Sequence, residues 1–252
     1  MAYKFSLFPL GREMELYKSL EQVAKDLGAF YFGVADLSLT KRGVITPHEQ
    51  RLVSEYPFAI SIGVPLATQV VERIGDQSDL FALRNYWFHV YQVINHLIDN
   101  ITSRLSFILM SEGYPALPVP ASQTLDNENL YGFFSHKLAA SLSGLGWVGK
   151  SCLLITPDRG PRVRWGTILT NAPLETGKPM VVKCGECVKC VEACPAEAFT
   201  GRDFVSSEPR ETRMIAKRCY DFLSQRRKDI GAFVCGNCVY ICPWGVPKSN
   251  RG

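Results

Sequence analysis

The sequence predicts an α+β protein in which a mixed α/β domain is followed by a small cysteine-rich domain. Helical and strand-like apolar patterns alternate over the first 175 residues, which is typical of packed helix and sheet layers. Eight of the nine cysteines then fall between Cys184 and Cys242, where the long apolar segments stop. This change in composition places the predicted domains at residues 1–175 and 176–252.

Several segments of the first predicted domain have the period of a helix or the composition of a strand. Apolar residues fall three and four apart in residues 13–27 and predict a helix. Residues 29–37 and 57–66 are short and apolar and predict buried strands. The helical period returns in residues 79–111, which predict one long helix or two helices with a break near Asn100.

A short helix and two more strands complete this domain. Ser135 is a good N-cap and Gly144 a good C-terminal stop, so the residues between them predict a helix. Residues 151–157 and 162–171 predict strands, joined by a turn of Asp, Arg, Gly and Pro. Because Cys152 lies alone in the first of these strands, we expect a buried core thiol rather than a nucleophile.

The overall composition is ordinary for a globular protein, with 46% hydrophobic and 21% charged residues and a formal net charge of +4. This excludes a disordered chain and gives no strong indication of nucleic acid as a partner. The N-terminus lacks a signal-peptide pattern, and no apolar run is long enough for a membrane helix. We therefore expect a cytoplasmic protein with no membrane partner, in which clustered cysteines bind metal rather than form disulfides.

The segment CGECVKCVEACP contains the most specific motif of the chain. Two, two and three residues separate Cys184, Cys187, Cys190 and Cys194, and Pro195 follows. This is the spacing with which bacterial ferredoxins bind [4Fe–4S] clusters. Thiolates two residues apart reach three irons of one cubane, and the fourth thiolate turns toward a second cluster.

The segment CGNCVYICP repeats part of this motif, and Cys219 is available to replace its missing first cysteine. The crossed ligation of two-cluster ferredoxins then predicts two ligand sets. The first set is Cys184, Cys187, Cys190 and Cys242, and the second is Cys194, Cys219, Cys235 and Cys238. Two structural zinc sites are the alternative, since zinc also binds paired CxxC motifs. We favour iron because zinc sites rarely combine three cysteines at this spacing with a following CP.

A glycine-rich turn before the cysteines is the candidate cofactor-binding segment. It contains Gly144, Gly146, Trp147, Gly149 and Lys150. Glycines allow backbone amides to approach a ligand, and the lysine would lie beside a phosphate or a cofactor tail. In the alternative interpretation the glycines only permit a tight turn.

The runs GLGWVGKSCLLI and GTILTNAPLE, followed by CxxCxxCxxxCP and CxxCxxxCPW, resemble epoxyqueuosine reductase and its relatives among the cobalamin-dependent reductive dehalogenases. LGAFYFGVADLS and AISIGVPL extend the resemblance over nearly the whole chain. It implies a nitroreductase-like α+β domain that holds cobalamin, followed by a small bacterial-ferredoxin-like domain with two [4Fe–4S] clusters. It also implies that electrons from an external donor, such as ferredoxin or flavodoxin, pass through the clusters to cobalt.

The resemblance also directs attention to the residues before the GLGW turn, where epoxyqueuosine reductase has an acidic proton donor. This chain reads LDNENLYGFFSHKLAA there, so Asp126 and His136 are the candidate catalytic residues. Their alternatives are a loop acid and a histidine bonded to nearby backbone. Tyr131, Trp147 and Trp165 are candidates for stacking on a flat macrocycle, or for the core. Many tRNA-acting members continue into a helical-repeat domain past this point, so we do not expect direct action on tRNA.

The sequence therefore predicts an iron–sulfur oxidoreductase that relays electrons to a corrinoid for reductive chemistry on a small-molecule or corrinoid substrate. The alternative is an electron-transfer protein that reduces a partner corrinoid or redox protein and performs no substrate chemistry. Flavin in place of cobalamin is a third, weaker hypothesis. Residues 201–252 contain ten Lys or Arg against five Asp or Glu, which we interpret as an offset to the negative charge of the clusters.

Overall fold

The centre of the molecule is a four-stranded antiparallel sheet. Its strands are β1 (Tyr31–Asp36), β2 (Phe58–Pro65), β3 (Ala116–Val119) and β6 (Val163–Thr170), in the spatial order β1-β2-β6-β3. Two short strands, β4 (Trp147–Val148) and β5 (Leu154–Ile155), pair as a separate hairpin. This computed structural model describes residues 10–40 and 46–246.

Helices cover both faces of the sheet. In chain order they are α1 (Leu10–Asp26), α2 (Pro47–Glu55), α3 (Thr68–Arg73), α4 (Leu80–Trp87), α5 (Asn95–Ser111), α6 (His136–Leu142), α7 (Lys189–Glu192), α8 (Ala216–Ile230) and α9 (Asn237–Tyr240). Alternate strand residues point to opposite faces. Ile60 and Ile62 pack with α1, α3, α4 and α5, whereas Ala59 packs with α2 and α6. The sheet is therefore buried between two helical layers.

Two glycines in paired strands set how closely other groups approach the sheet. A Cβ at Gly166 would lie 2.5 Å from the side chain of Ile98, so α5 packs directly on the backbone of β6. Gly63 pairs with Trp165 across the sheet, and a Cβ at Gly63 would lie 2.6 Å from the indole ring. The indole therefore packs directly against the glycine backbone.

The predicted long helix is continuous through Asn100, and its irregularity comes earlier. A π-helical segment, Phe88–Ile94, joins α4 to α5 without interrupting the helical backbone. The π segment inserts extra length into the helix and rotates the residues that follow it. At its end the side chain of Asn95 accepts hydrogen bonds from the guanidinium of Arg164 at 3.1 and 3.0 Å.

The predictions for helix 13–27 and for the strands at 29–37, 57–66 and 162–171 are confirmed within a few residues. The predicted strand 151–157 is wrong except for the two residues of β5. Cys152 has a φ of 54° and its amide bonds to the Gly149 carbonyl, so this part of the segment is a turn. Its apolar residues are buried because the hairpin is enclosed, and Cys152 is indeed a buried thiol.

The cysteine-rich segment packs against the same core as the first 175 residues. Ile230, Ala232 and Val234 belong to the cluster formed by α1, α5 and the sheet. Earlier, the amide of Gly177 donates to the Val34 carbonyl of β1 at 2.9 Å. The domain boundary at 175 and 176 remains a prediction. Across residues 10–40 and 46–246, none of the helices has the length and apolar character that crossing a membrane requires.

Candidate functional site

The eight clustered cysteines form two groups in space. One small cavity is lined by Cys184, Cys187, Cys190 and Cys242. In the other group, burial and the nearby thiols of Cys194 and Cys235 together raise the pKa of Cys219 to about 11. Cys238 is affected by the same three thiols. The structure thus brings together the members of each predicted ligand set.

Without a bound metal, two thiols of the first group resist deprotonation. Burial raises the pKa of Cys190 to about 11, and the neighbouring Cys242 and Cys184 oppose its ionisation. Burial likewise raises the pKa of Cys242 to about 11. In the described part of the chain, no three His, Cys, Asp or Glu side chains converge closely enough to hold one metal ion. A positively charged metal centre would stabilise the deprotonated form of each group.

Tight loops and one lysine position the first group. Gly185 has a φ of 53°, which glycine adopts without strain, and it lets the chain turn between Cys184 and Cys187. The ammonium of Lys150 donates to the Gly185 carbonyl at 2.6 Å, and this lysine is only 7% exposed. Lys150 therefore fixes the first cysteine loop against the glycine-rich turn.

The glycines of that turn face protein atoms. A Cβ at Gly144 or Gly146 would lie 2.5 or 2.3 Å from a backbone carbonyl oxygen, and one at Gly149 would lie 3.3 Å from Cys184 Sγ. Close packing within the protein is therefore the role that the geometry shows for them. Their predicted part in cofactor binding has no counterpart in these contacts, except that the turn touches the first cysteine group.

A cavity of about 420 Å³ lies on the other side of this turn. Its lining includes the aromatic side chains of Tyr131, Phe133, Phe134, Trp165 and Phe204. Its cationic lining residues are Lys137, Arg164, Arg210 and Arg213. Trp147 is not part of it, because this indole is buried edge-on against Trp244, 4.8 Å between ring centroids. Of the three aromatic residues proposed for stacking, two therefore reach the cavity.

The β4–β5 hairpin separates this cavity from the first cysteine group. Val148, Cys152, Leu153 and Leu154 line the large cavity. Gly149, Lys150, Ser151 and Ile155 line the small cavity that contains the cysteines. Residues of this one hairpin, most of them apolar, thus line both the cavity of the thiol group and the large cavity.

His136 lies on the wall of the large cavity with both ring nitrogens occupied. Nε2 is 3.0 Å from the Pro120 carbonyl, which can only accept, so Nε2 carries the proton. Nδ1, 2.8 Å from the Thr167 hydroxyl, then accepts its hydrogen bond. Burial lowers the pKa of His136 to about 4, and the charges of Arg164 and Lys137 act in the same direction. This geometry gives a neutral histidine that ties α6 to β6, and it leaves no free nitrogen for a substrate.

Asp126 lies outside the residues that line the cavity. Its carboxylate accepts hydrogen bonds from the amides of Glu128 and Asn129 and from the Asn129 side chain, at 2.8 to 2.9 Å. These bonds lower its pKa. The geometry is that of an acid that stabilises its own loop, the alternative that the sequence left open.

The neutral state of His136 has a consequence for stability. An unfolded histidine takes up a proton near its ordinary pKa of 6.5, whereas the folded one resists protonation down to about 4. The contribution of neutral His136 to the free energy of unfolding is therefore fully present well above pH 6.5. It falls as the pH drops, by about 2 kcal/mol at pH 5. Denaturant unfolding at pH 7 and pH 5 should show this loss in the native chain and not in His136→Gln. Equal pH dependence in both proteins would contradict the assignment.

Sequence reasoning missed the cationic wall. Arg210 lies over the ring of Tyr131, 4.1 Å from its centroid, and donates to the carbonyls of Leu130 and Asn129. Arg213 and Lys137 also line the cavity. The one signal in the sequence was the excess of basic residues in 201–252. A solvated basic surface explains that excess equally well.

Comparisons with known proteins support the assignment of the cysteine segment. Residues 183–245 match the family described as a 4Fe-4S double cluster binding domain. The epoxyqueuosine reductase of Listeria monocytogenes is 33% identical over 124 residues, 48% of this chain and 31% of that protein. The one from Staphylococcus aureus is 27% identical over 251 residues, 94% of this chain and 58% of that protein. The chain thus spans less than two thirds of the length of these relatives.

Solved structures share the fold. A catabolic reductive dehalogenase has a TM-score of 0.71 at 20% identity, covering 99% of this chain and 35% of that one. An epoxyqueuosine reductase solved with an epoxyqueuosine-modified tRNA stem loop has a TM-score of 0.57 at 20% identity, covering 92% and 65%. A reductive dehalogenase whose structure suggests a mechanism for B12-dependent dehalogenation has a TM-score of 0.68 at 18% identity, covering 100% and 34%. The mixed α/β architecture is therefore one that such reductases have.

Proposed function

We propose that this chain, which is an epoxyqueuosine reductase-like iron–sulfur protein, passes electrons through two [4Fe–4S] clusters to a redox-active ligand in the large cavity. The observation that carries the proposal is the position of the β4–β5 hairpin, with four cysteines on one side and the cavity on the other. Electrons that pass from the first cluster to a ligand in the large cavity would cross this hairpin.

The two cysteine groups fit the proposed clusters as donor sets. Each supplies four thiols, and the first encloses a small cavity against Gly149, where any side chain would crowd Cys184. We propose the crossed ligation described above, in a segment of bacterial-ferredoxin type. The second group includes Cys219 on α8, whose exposed residues include Lys217 and Arg227. A donor such as ferredoxin or flavodoxin, with an acidic surface, would deliver electrons there.

A corrinoid is the ligand that we propose for the cavity, in a domain of nitroreductase type. The aromatic side chains of Tyr131 and Trp165 in the lining suit a macrocycle, and the cations suit its phosphate-bearing tail. When bound, a corrinoid would supply a cobalt centre that accepts electrons one at a time. The chain's own contribution is to exclude water with an apolar hairpin and to hold the cysteine loop through Lys150. Flavin remains the less favoured ligand.

Anaerobic reconstitution of the full chain tests this function. We expect about eight irons and about eight sulfides per chain, from two four-iron clusters. Titrated cobalamin should bind with a change in its absorbance and should be reduced only when the clusters are reduced first. Zinc without acid-labile sulfide would contradict the cluster assignment, and intact clusters that never reduce a bound corrinoid would contradict the relay.

The substrate is proposed as a small molecule or a second corrinoid. tRNA belongs in the same assay, because a structural neighbour was solved with a modified tRNA stem loop. Conversion of epoxyqueuosine in tRNA by the reduced protein would replace our expectation that this chain does not act on tRNA directly.

A second candidate function is electron transfer to a partner protein without substrate chemistry. The geometry of the two predicted catalytic residues favours it, because Asp126 is used by its own loop and His136 has no free nitrogen. Intact clusters with no affinity for cobalamin or flavin, together with reduction of an added corrinoid protein, would select this function over the first.

A further inference from the structure

The wall of the large cavity includes a buried guanidinium that has no carboxylate partner among residues 10–40 and 46–246. Arg213 is 4% exposed, and its Nε has no hydrogen-bond partner among the described residues. Its Nη1 has one long contact, 3.4 Å to the Glu208 carbonyl, and its guanidinium lies over the ring of Phe204, 4.8 Å from the centroid. Burial of an unpaired charge costs several kcal/mol. The structure therefore keeps an uncompensated cation at the cavity wall.

Lys137 is a second cation of the same cavity. Within the described ranges, its ammonium has neither a hydrogen bond nor an ion pair closer than 4.0 Å. Burial lowers the pKa of Lys137, and the neighbouring charges of Arg210 and Arg213 lower it further. An anion bound beside Lys137 and Arg213 would stabilise the charged form of Lys137 and offset the repulsion between the two cations.

The other charges of the cavity are already engaged. Arg164 donates to the Asn95 side chain and lies over the ring of Tyr91, 4.8 Å from its centroid. Arg210 is paired with Glu211 at 2.8 Å and bonds to the carbonyls of the 129–130 loop. Arg210 therefore has an ion pair, and Arg164 has hydrogen-bond and ring partners for its guanidinium.

The acid of the cavity forms no ion pair with either of the two remaining cations. Glu49 uses one carboxylate oxygen for the amide of Thr46 and the other for the amide of Ser135, at 2.8 and 3.0 Å. It is the one Asp or Glu among the described lining residues. Within the part of the chain that the structure describes, neither Lys137 nor Arg213 therefore has a carboxylate at ion-pair distance.

We infer that Lys137 and Arg213 bind an oxyanion, a carboxylate or a phosphate, carried by a ligand whose apolar part lies against the aromatic walls of the cavity. This inference rests on the proposed function only in taking the cavity as the reaction chamber. Two charge-assisted hydrogen-bond donors in a partly dry site select an anion over its neutral isostere. The anion belongs either to the substrate or to the tail of a corrinoid.

Matched neutral and charged probes test the inference. Benzoate, phenyl phosphate and benzamide would be titrated by calorimetry into the anaerobically reconstituted full chain without corrinoid. We expect one of the anions to bind at least about ten-fold more tightly than benzamide, because the three probes share a ring and differ in charge. A preference for benzoate indicates a substrate carboxylate, and a preference for phenyl phosphate indicates a phosphate-bearing ligand. Equal affinity for the anions and benzamide would overturn the inference.

Variants locate the anion. Lys137→Met and Arg213→Met should each reduce anion affinity about ten-fold and leave benzamide binding unchanged, whereas Lys228→Met on the exposed face of α8 should change neither. If Arg213→Met fails to fold, Lys137→Met decides alone, because Lys137 is only half-buried. Unchanged anion affinity in Lys137→Met would refute the assignment. Binding is measured without electron transfer, so a failed relay and a failed anion site give separate results.

Discussion

Replacement of Cys187 or Cys235 with serine is expected to remove one cluster from the reconstituted protein and to abolish electron delivery to the cavity. Iron content should fall from about eight to about four atoms per chain, since each four-iron cluster depends on its four thiolates. Reduction of a ligand bound in the cavity should slow by at least about 100-fold in either variant. Iron and sulfide analysis and anaerobic stopped-flow absorbance would measure the two effects.

The two variants should fail in different ways. Cys187 belongs to the group that contacts the hairpin, so its loss removes the cluster from which we propose electrons reach the cavity and leaves the proposed entry cluster. Loss of Cys235 leaves the cluster beside the hairpin and removes the proposed point of entry. We therefore expect Cys187→Ser to be reduced quickly by an external donor, and Cys235→Ser to be reduced slowly.

The crossed ligation makes a sharper prediction. Cys242 is four residues from Cys238 in the chain but lines the cavity of Cys184 and Cys187. Cys242→Ser should therefore share the spectrum and reduction rate of Cys187→Ser and not those of Cys235→Ser. Cys152→Ser is the matched control, since this ninth cysteine lies outside both groups and should leave iron content unchanged. If Cys242→Ser instead matched Cys235→Ser, ligation would be local and the crossed scheme would be wrong.

The cysteine groups could be predicted from the sequence because cluster ligation fixes both residue type and spacing. The sheet strands were also predictable where short apolar runs were flanked by turns, as in β2 and β6. The prediction of a strand at residues 151–157 was wrong because burial inside an enclosed hairpin produces the same apolar pattern as burial in a sheet. Helix α2 was missed although Thr46 and Glu49 form a capping box at its start, because the helix is short and weakly apolar.

The cavity was less predictable because distant segments build it. Lys137 and Arg213 line one cavity only because of the fold, and no local pattern distinguishes either from a solvated cation. Asp126 and His136 were selected by their distance from the glycine-rich turn along the chain. That distance could not show that both already have hydrogen-bond partners within the protein. Whether a polar side chain has its hydrogen-bond partners is decided only in the folded state. That property distinguishes Arg213, whose Nε has no partner among the described residues, from the neighbouring cations.

A second large effect is expected from Glu72→Ala, which should lower the stability of the folded protein by about 2 kcal/mol. Glu72 pairs with Arg162, a guanidinium only 3% exposed at the start of β6. Removal of one partner of a buried ion pair leaves the other charge uncompensated, a loss that typically reaches 3–5 kcal/mol. We expect a smaller value because the Glu72 side chain is 40% exposed and partly screened by water.

The same arginine also ties the ion pair to the cysteine-rich segment. Its Nη2 donates to the Tyr240 carbonyl at 3.2 Å, between Cys238 of one group and Cys242 of the other. Glu72→Ala should therefore lower Tm by about 4–8 °C, as expected for 2 kcal/mol in a chain of this size, and should also speed the loss of iron to a chelator. Anaerobic circular dichroism melts and chelator-dependent bleaching would measure both.

Two controls separate the ion pair from the mere loss of an acid. Glu72→Gln keeps an oxygen acceptor for Arg162 and should recover about half of the stability lost. Glu55→Ala removes an exposed acid at the end of α2 and should change stability by less than about 0.5 kcal/mol. If Glu72→Ala melted like the native chain while releasing iron at the native rate, Arg162 would be satisfied by the Tyr240 carbonyl alone. The sheet and the cysteine-rich segment would then be held together by apolar packing of residues such as Ile230 and Val234, without help from this ion pair.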